Sequence, residues 1–224
     1  MPKTLLILLF VVSCIHGFSL EIPELEAKSI DHEVLFHWND LKEIEDQIKF
    51  FEIEAEHQKY ELELAEAKFR MDQRLHNSKA ITDLDFMKSK ADVEVKGANL
   101  EAATLKVKER LIYIEIKKQN LQARQGKRPS LKKTAQLYAD DWKAKFEIGK
   151  ALVVRGQAEL DFINFKYTCV EKLQNHNVST LEELLEVSEQ KKEKESNVVM
   201  LTARLKALEK TSQDAQQIAD DLTP

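Results

Sequence analysis

The chain has 224 residues with a formal net charge of −5; one third of them are charged and only 7% aromatic, with five glycines and four prolines. Ala, Glu, Lys and Leu in that proportion, with so little to punctuate turns, mark extended helices and coiled coils, not a sheet protein or an enzyme with a large aromatic core. Both signs of charge are interspersed, which argues against a general nucleic-acid binder and reads as solvated helix faces. The expected fold class is all-α: two long antiparallel helical hairpins, arranged as tandem coiled coils or as an elongated four-helix bundle.

The first residues, Met1 to Gly17, place Lys3 before the apolar run Leu5 to Val12. That run is too short to span a bilayer and suits the core of a signal peptide, so export is expected. Val11-Val12-Ser13-Cys14 resembles a bacterial lipobox, in which the cysteine is lipidated and becomes the mature N-terminus; residues 1–14 are then the leader. Cleavage after Gly17, with Cys14 only part of the apolar leader, is the alternative. Cys14 and Cys169 are the only two cysteines, so acylating or removing the first leaves no intrachain disulfide.

A first hairpin is expected over 29–122. Its first helix starts near Ser29 and runs to about Leu75, along a seam of Leu41, Ile44, Ile48, Phe51, Ala55, Gln58, Leu62, Ala65 and Phe69. Alternating steps of three and four residues are the heptad repeat of a left-handed coiled coil, and the single polar member, Gln58, fixes register. A break follows at His76-Asn77-Ser78-Lys79, and Thr82 or Asp83 opens the next helix. That helix carries Leu84, Met87, Ala91, Val95, Ala98, Ala102, Leu105 and Ile112, a stripe whose small residues allow close backbone approach.

Residues 123–130, with Gly126 and Pro129, form a basic linker ending at Ser130, which can cap the next helix. The second hairpin is expected over 131–211. Its first helix has the seam Ala135, Tyr138, Trp142, Phe146, Gly149, Val153, Gly156, Leu160, Ile163, Tyr167 and Val170 and ends before Asn175-His176-Asn177. Ser179-Thr180-Leu181-Glu182 reads as a capping box opening the last helix. With Lys191 to Ser196 almost wholly polar, that helix is expected to be the weakest, and 212–224 a disordered tail. Ala80-Ile81-Thr82-Asp83-Leu84-Asp85 aligns with Asn177-Val178-Ser179-Thr180-Leu181-Glu182, while Leu75 matches Leu173 only across a one-residue gap. A duplicated hairpin explains this, as do similar turns converging on similar caps. Both apices, near Asn77 and Asn175, should lie at one end, with the linker and the N-terminal anchor at the other.

Ala65-Glu66-Ala67-Lys68-Phe69, Arg74-Leu75, Ala80-Ile81-Thr82, Phe86 and Ala98-Asn99-Leu100-Glu101-Ala102-Ala103, within 62–111, resemble the coiled-coil hairpin of periplasmic adaptor proteins, the HlyD-like membrane fusion family of efflux and secretion systems. In that family an Arg, a Leu and a Ser at the apex meet the tip of an outer-membrane channel. The resemblance puts Thr82 at the hydroxyl position, Leu75 at the leucine and Met71 at the arginine, with Arg70 and Arg74 beside it. Family members enclose the hairpin in a lipoyl-like domain followed by a β-barrel, and no β-rich segment follows the second helix here.

No chemistry competes with a binding role. There is no glycine-rich phosphate loop, paired-cysteine motif or nucleophile elbow, and no cofactor or metal site is expected. Glu33 and His37 share a helix face, as one edge of a metal site could, but two ligands do not make a site. His76 and His176 sit at the two apices. The partner-binding positions expected at the apices are Arg74, Leu75, Asn77, Thr82, Asn175 and Ser179. Between Lys117 and Lys133 stand seven basic residues and no acid: Lys117, Lys118, Arg124, Lys127, Arg128, Lys132 and Lys133. They read either as a solvated linker or as a surface for anionic headgroups beside a lipidated Cys14, Arg124, Lys127, Arg128, Lys132 and Lys133 being its core. The function expected is a non-enzymatic adaptor or scaffold of the cell envelope, periplasmic and membrane-anchored, that binds a helical protein partner or itself, and no nucleic acid. The alternatives are a periplasmic holdase chaperone or a secreted structural coiled coil, for which Asn177-Val178-Ser179 offers a glycosylation acceptor.

Overall fold

The computed structural model describes residues 32–222, with side chains from Asn39 onward. From His37 the chain forms one unit, to which everything below refers. The described chain forms four long helices, α1 (His32–Asn77), α2 (Asp83–Arg124), α3 (Leu131–Asn175) and α4 (Leu181–Asp221), and the unit holds all of them but the first five residues of α1. Among the described residues there is no strand, as an all-α chain requires. Ser29, Cys14, and the helix-face pair Glu33 and His37 fall outside the described side chains.

Each helix packs antiparallel on the next. Lys117 meets Asp40, Lys106 meets Glu54 and Lys96 meets Glu61, so α2 descends along α1 in a fixed register. Beneath these bridges Ile44, Ile48, Val107 and Ile114 form an apolar cluster, with Phe51 and Tyr113 against it. Gln119 of α2 then accepts a hydrogen bond from Thr134 of α3 at 2.7 Å, and Glu109 faces Lys145 at 3.9 Å. Along α3 and α4 a second cluster joins Ile163, Val170 and Val187, packed by Leu160, Tyr167 and Leu184.

The stripe of small residues on α2 proves to face α3. Ala98 and Ala102 are buried, and Ala91 and Val95 line a cleft with Phe162 and Ile163 of α3. The face of α2 turned to α1 carries Phe86, Lys96, Val107 and Ile114 instead. So α2 is apolar on two faces, and the two hairpins pack along each other; steric closeness from the alanines makes that possible.

The seam expected on α3 is the one it presents to α4. A Cβ placed on Gly156 would lie 3.1 Å from Leu201, and one on Gly149 3.1 Å from both Leu205 and Leu208, so these glycines let the backbones approach. Residues 212–221, expected to be disordered, are helical. The reason is that Ser212, Ala215 and Ala219 prolong the spacing of threes and fours from Leu208, and Ala219 is only 3% exposed. The polar run Lys191 to Ser196 does not interrupt α4, because Lys194 bridges Glu159 at 2.6 Å and Lys191 lies over the Tyr167 ring.

Candidate functional site: the paired apices

Both hairpin turns end a helix in the same way. In the first, the Ala80 N–H donates to the Leu75 carbonyl and the Lys79 N–H to that of His76, with Lys79 at φ 59°. In the second, the Val178 N–H donates to Leu173 and the Asn177 N–H to Gln174, with Asn177 at φ 57°. This is the Schellman arrangement, in which a residue in the left-handed region closes the last turn. Two residues further on, Thr82 accepts the Asp85 N–H and Thr180 accepts the Glu183 N–H, each as the N-cap of the following helix.

Thr180, not Ser179, therefore caps α4. The Ser179 hydroxyl donates back to the Val170 carbonyl at 3.1 Å and fastens the turn to α3. Moving the cap by one residue removes the gap in the alignment: Leu75 and Leu173, Lys79 and Asn177, Thr82 and Thr180 all stand 98 residues apart (173 − 75, 177 − 79, 180 − 82). The same offset carries the bridge Glu61–Lys96 onto Glu159–Lys194, both at 2.6 Å. Fourteen heptads make 98 residues, so the seams of the two hairpins stay in phase.

The antiparallel course of α2 and α3 brings both apices to one end. There Arg74, Asn77 and Asn175 are exposed, while Leu75 is half-buried. Thr82 is engaged within its own turn, donating its hydroxyl to Asp85 Oδ2 at 2.7 Å. The first apex has a further lock: His76 Nε2 lies 2.7 Å from Asp83 Oδ1, and its ring stacks on Phe86, which in turn stacks on Phe69. At the second apex His176 is exposed, and Gln174 and Leu181 occupy the places of His76 and Asp83, so that lock is not repeated.

The basic cluster lies at the opposite end. Two of its members form ion pairs: Lys117 bridges Asp40 and Lys118 bridges Glu115. Burial works against the charge of Lys117, but hydrogen bonds to Asp40 and Tyr113 outweigh it and raise the ammonium pKa. Arg124, Lys127, Arg128, Lys132 and Lys133 are exposed around Ser130, which caps α3 by accepting the Lys133 N–H.

Sequence reasoning missed one feature. Phe50, Ile53, Tyr60, Leu64 and Met71 of α1 are large, apolar and exposed. Their spacing of 3, 7, 4 and 7 residues, completed by His57 and Ala67, is a second heptad stripe on the face opposite the seam with α2. The signal for it in the sequence is this second run of threes and fours, two residues out of step with the seam.

Among the described residues no three His, Cys, Asp or Glu side chains gather as metal ligands, and no helix is long and apolar enough to cross a membrane. The cleft between α2 and α3 is open and mixed in charge, and its Lys194 and Glu159 are already bonded to each other. Compared with protein-family models, curated proteins and solved structures, the chain matches none.

Proposed function

We propose that this protein is a non-enzymatic envelope scaffold that engages a helical protein partner through its two apices, as an adaptor in an efflux or secretion assembly. The observation that carries the reading is the repetition of one apex design at one end of the molecule. Two equal turns, each rigidified by a Schellman closure and a threonine cap, present Arg74, Asn77 and Asn175 to solvent. A rigid tip binds without the entropic cost of ordering a loop. The resemblance to the hairpins of periplasmic adaptors supports the choice of assembly, and the exposed basic residues at the far end suit attachment near anionic headgroups beside a lipidated Cys14.

A photocrosslinking residue placed at Asn77, Asn175 or, as control, Lys127 of the full chain in a bacterium with an outer membrane tests this. A discrete envelope adduct from the two apices and none from Lys127 is expected; adducts from Lys127 alone would reverse the polarity of the proposal. The mass of the mature N-terminus, compared between the native chain and Cys14→Ser, tests the anchor: an acylated Cys14, absent from the mutant, is expected.

A holdase chaperone is the second reading, favoured by the exposed apolar stripe of α1. Its heptad spacing suits a helix better than an unfolded client, which has no fixed period to match.

A further inference from the structure

The 98-residue repeat says what ought to cover the outer stripe of α1. In the second hairpin, Ala151, Ala158 and Phe162 stand where Ile53, Tyr60 and Leu64 stand in the first (151 − 53, 158 − 60, 162 − 64). Gly149 and Gly156 face α4, so Ala151 and Ala158, two residues on, turn the other way. They are 1% and 5% exposed, buried against α2. The matching residues Ile53 and Tyr60 are 68% and 65% exposed. A face that the fold covers in one repeat is open in the other, and there it carries larger apolar residues.

The free face at the other edge does not complement it. On α4 the places of Ala91, Val95 and Ala98 are taken by Glu189, Glu193 and Ser196, between the exposed Leu185 and Met200. Burying two glutamates against Tyr60 and Leu64 would strand charges, so a head-to-tail array is disfavoured. Two glutamates interrupt the outer face of α4, whereas no acid interrupts the stripe of α1.

We infer that the outer stripe of α1 is the interface for a second copy of this chain, joined α1 to α1 about a two-fold axis, so that α4 faces outward on both sides. Five side chains of about 200 Å² each, more than half exposed, supply roughly 600 Å² of apolar surface per copy, enough for a specific pair. Along the flanks of the stripe attraction outnumbers repulsion. A parallel copy sets Lys49 against Glu54 and Glu63 against Lys68 across the axis, with Glu56 against Glu61 between them, and an antiparallel one sets Glu56 against Arg70 and Glu54 against Lys68, with Glu61 and Glu63 meeting their own copies at the axis. An isologous contact closes at two copies. This surface is separate from the apices, and its failure would leave the proposal for them standing.

Sedimentation equilibrium and light scattering on the full chain, over a range of concentrations, test it. The native chain is expected to reach twice its chain mass. Ile53→Lys with Leu64→Lys should weaken association at least a hundredfold while leaving the melting curve of the monomer in place, since both side chains are solvated there. Met200→Lys, on the outer face of α4, should leave the dimer as it is. A native chain that stays monomeric at every concentration, or a dimer that Met200→Lys disrupts and the α1 pair does not, would overturn the inference.

Discussion

Lys145 holds Asp141 at 2.7 Å on α3 and reaches Glu109 of α2 at 3.9 Å, so one ammonium joins the two hairpins at a point where the Asp141 side chain is almost fully buried. The other oxygen of that carboxylate, Oδ1, has no hydrogen-bond partner. Removing the lysine leaves a buried charge alone, which costs more than the net contribution of the pair. Lys145→Met is expected to lower stability by about 3 kcal/mol. Adding Asp141→Asn should recover part of that loss. Urea unfolding followed by circular dichroism measures both, and a single mutant no less stable than the native chain would dismiss the argument.

The caps give a sharper contrast between neighbours. Thr180→Ala removes the acceptor for the Glu183 N–H and should cost about 1 kcal/mol. Ser179→Ala removes one hydrogen bond to Val170 and should cost about half as much. Lys79 sits at φ 59°, where a β-carbon is crowded, so Lys79→Gly should stabilise by a few tenths to about 1 kcal/mol. Asn177→Gly should yield less, because asparagine tolerates that region.

Glycines separate by what surrounds them. No atom stands within 4 Å of a Cβ built on Gly97, so Gly97→Ala is expected to stabilise α2 by about 0.5–1 kcal/mol through helix propensity alone. Gly156→Val meets Leu201 and Val198 at 3.1 and 3.4 Å even with its first carbon, and should destabilise by about 1–3 kcal/mol. Thermal melts of the two variants should move in opposite directions.

Acid should loosen the first hairpin through Glu61. The hydrogen bond from Lys96 holds its carboxyl below the ordinary carboxylate range. A lowered folded-state pKa gives stabilisation that is complete above the unfolded value, near 4.5, and is lost as pH falls through the folded one. Glu61→Gln should therefore flatten the acid limb of a plot of Tm against pH. At Glu52 burial, then the neighbouring Glu56, push the carboxyl up, so Glu52→Gln should raise Tm at neutral pH.

Much of this architecture was legible as spacing. The seams containing Ile44, Ile48 and Ala65 on α1, and Gly149, Gly156 and Ile163 on α3, are the faces those helices present to α2 and α4. Periodicity identifies a face but not its neighbour: the Ala91–Ala102 stripe announces a close backbone approach, and the fold assigns that approach to α3. Ser179 and Thr180 are both competent caps, and only the backbone turn set by Asn177 decides between them. Residues 212–221 bury no bulky side chain, since Ile218 is exposed, but Ala219 in the right phase suffices to keep α4 going. At the apices the exposed positions Arg74, Asn77 and Asn175 were readable as turn residues, whereas the inward bonding of Thr82 and Ser179 depends on geometry that spacing does not carry.

Equal spacing makes the molecule a gauge. Inserting one heptad into each helix of a single hairpin would preserve every seam, yet it would raise that hairpin's tip by about 10 Å above its twin. A partner seated on both tips at once would then be tilted or released, while a partner held by one would not notice. Matched lengths are thus a levelling device, and any lineage that lengthened one pair of rods would have to lengthen the other to keep a two-point seat.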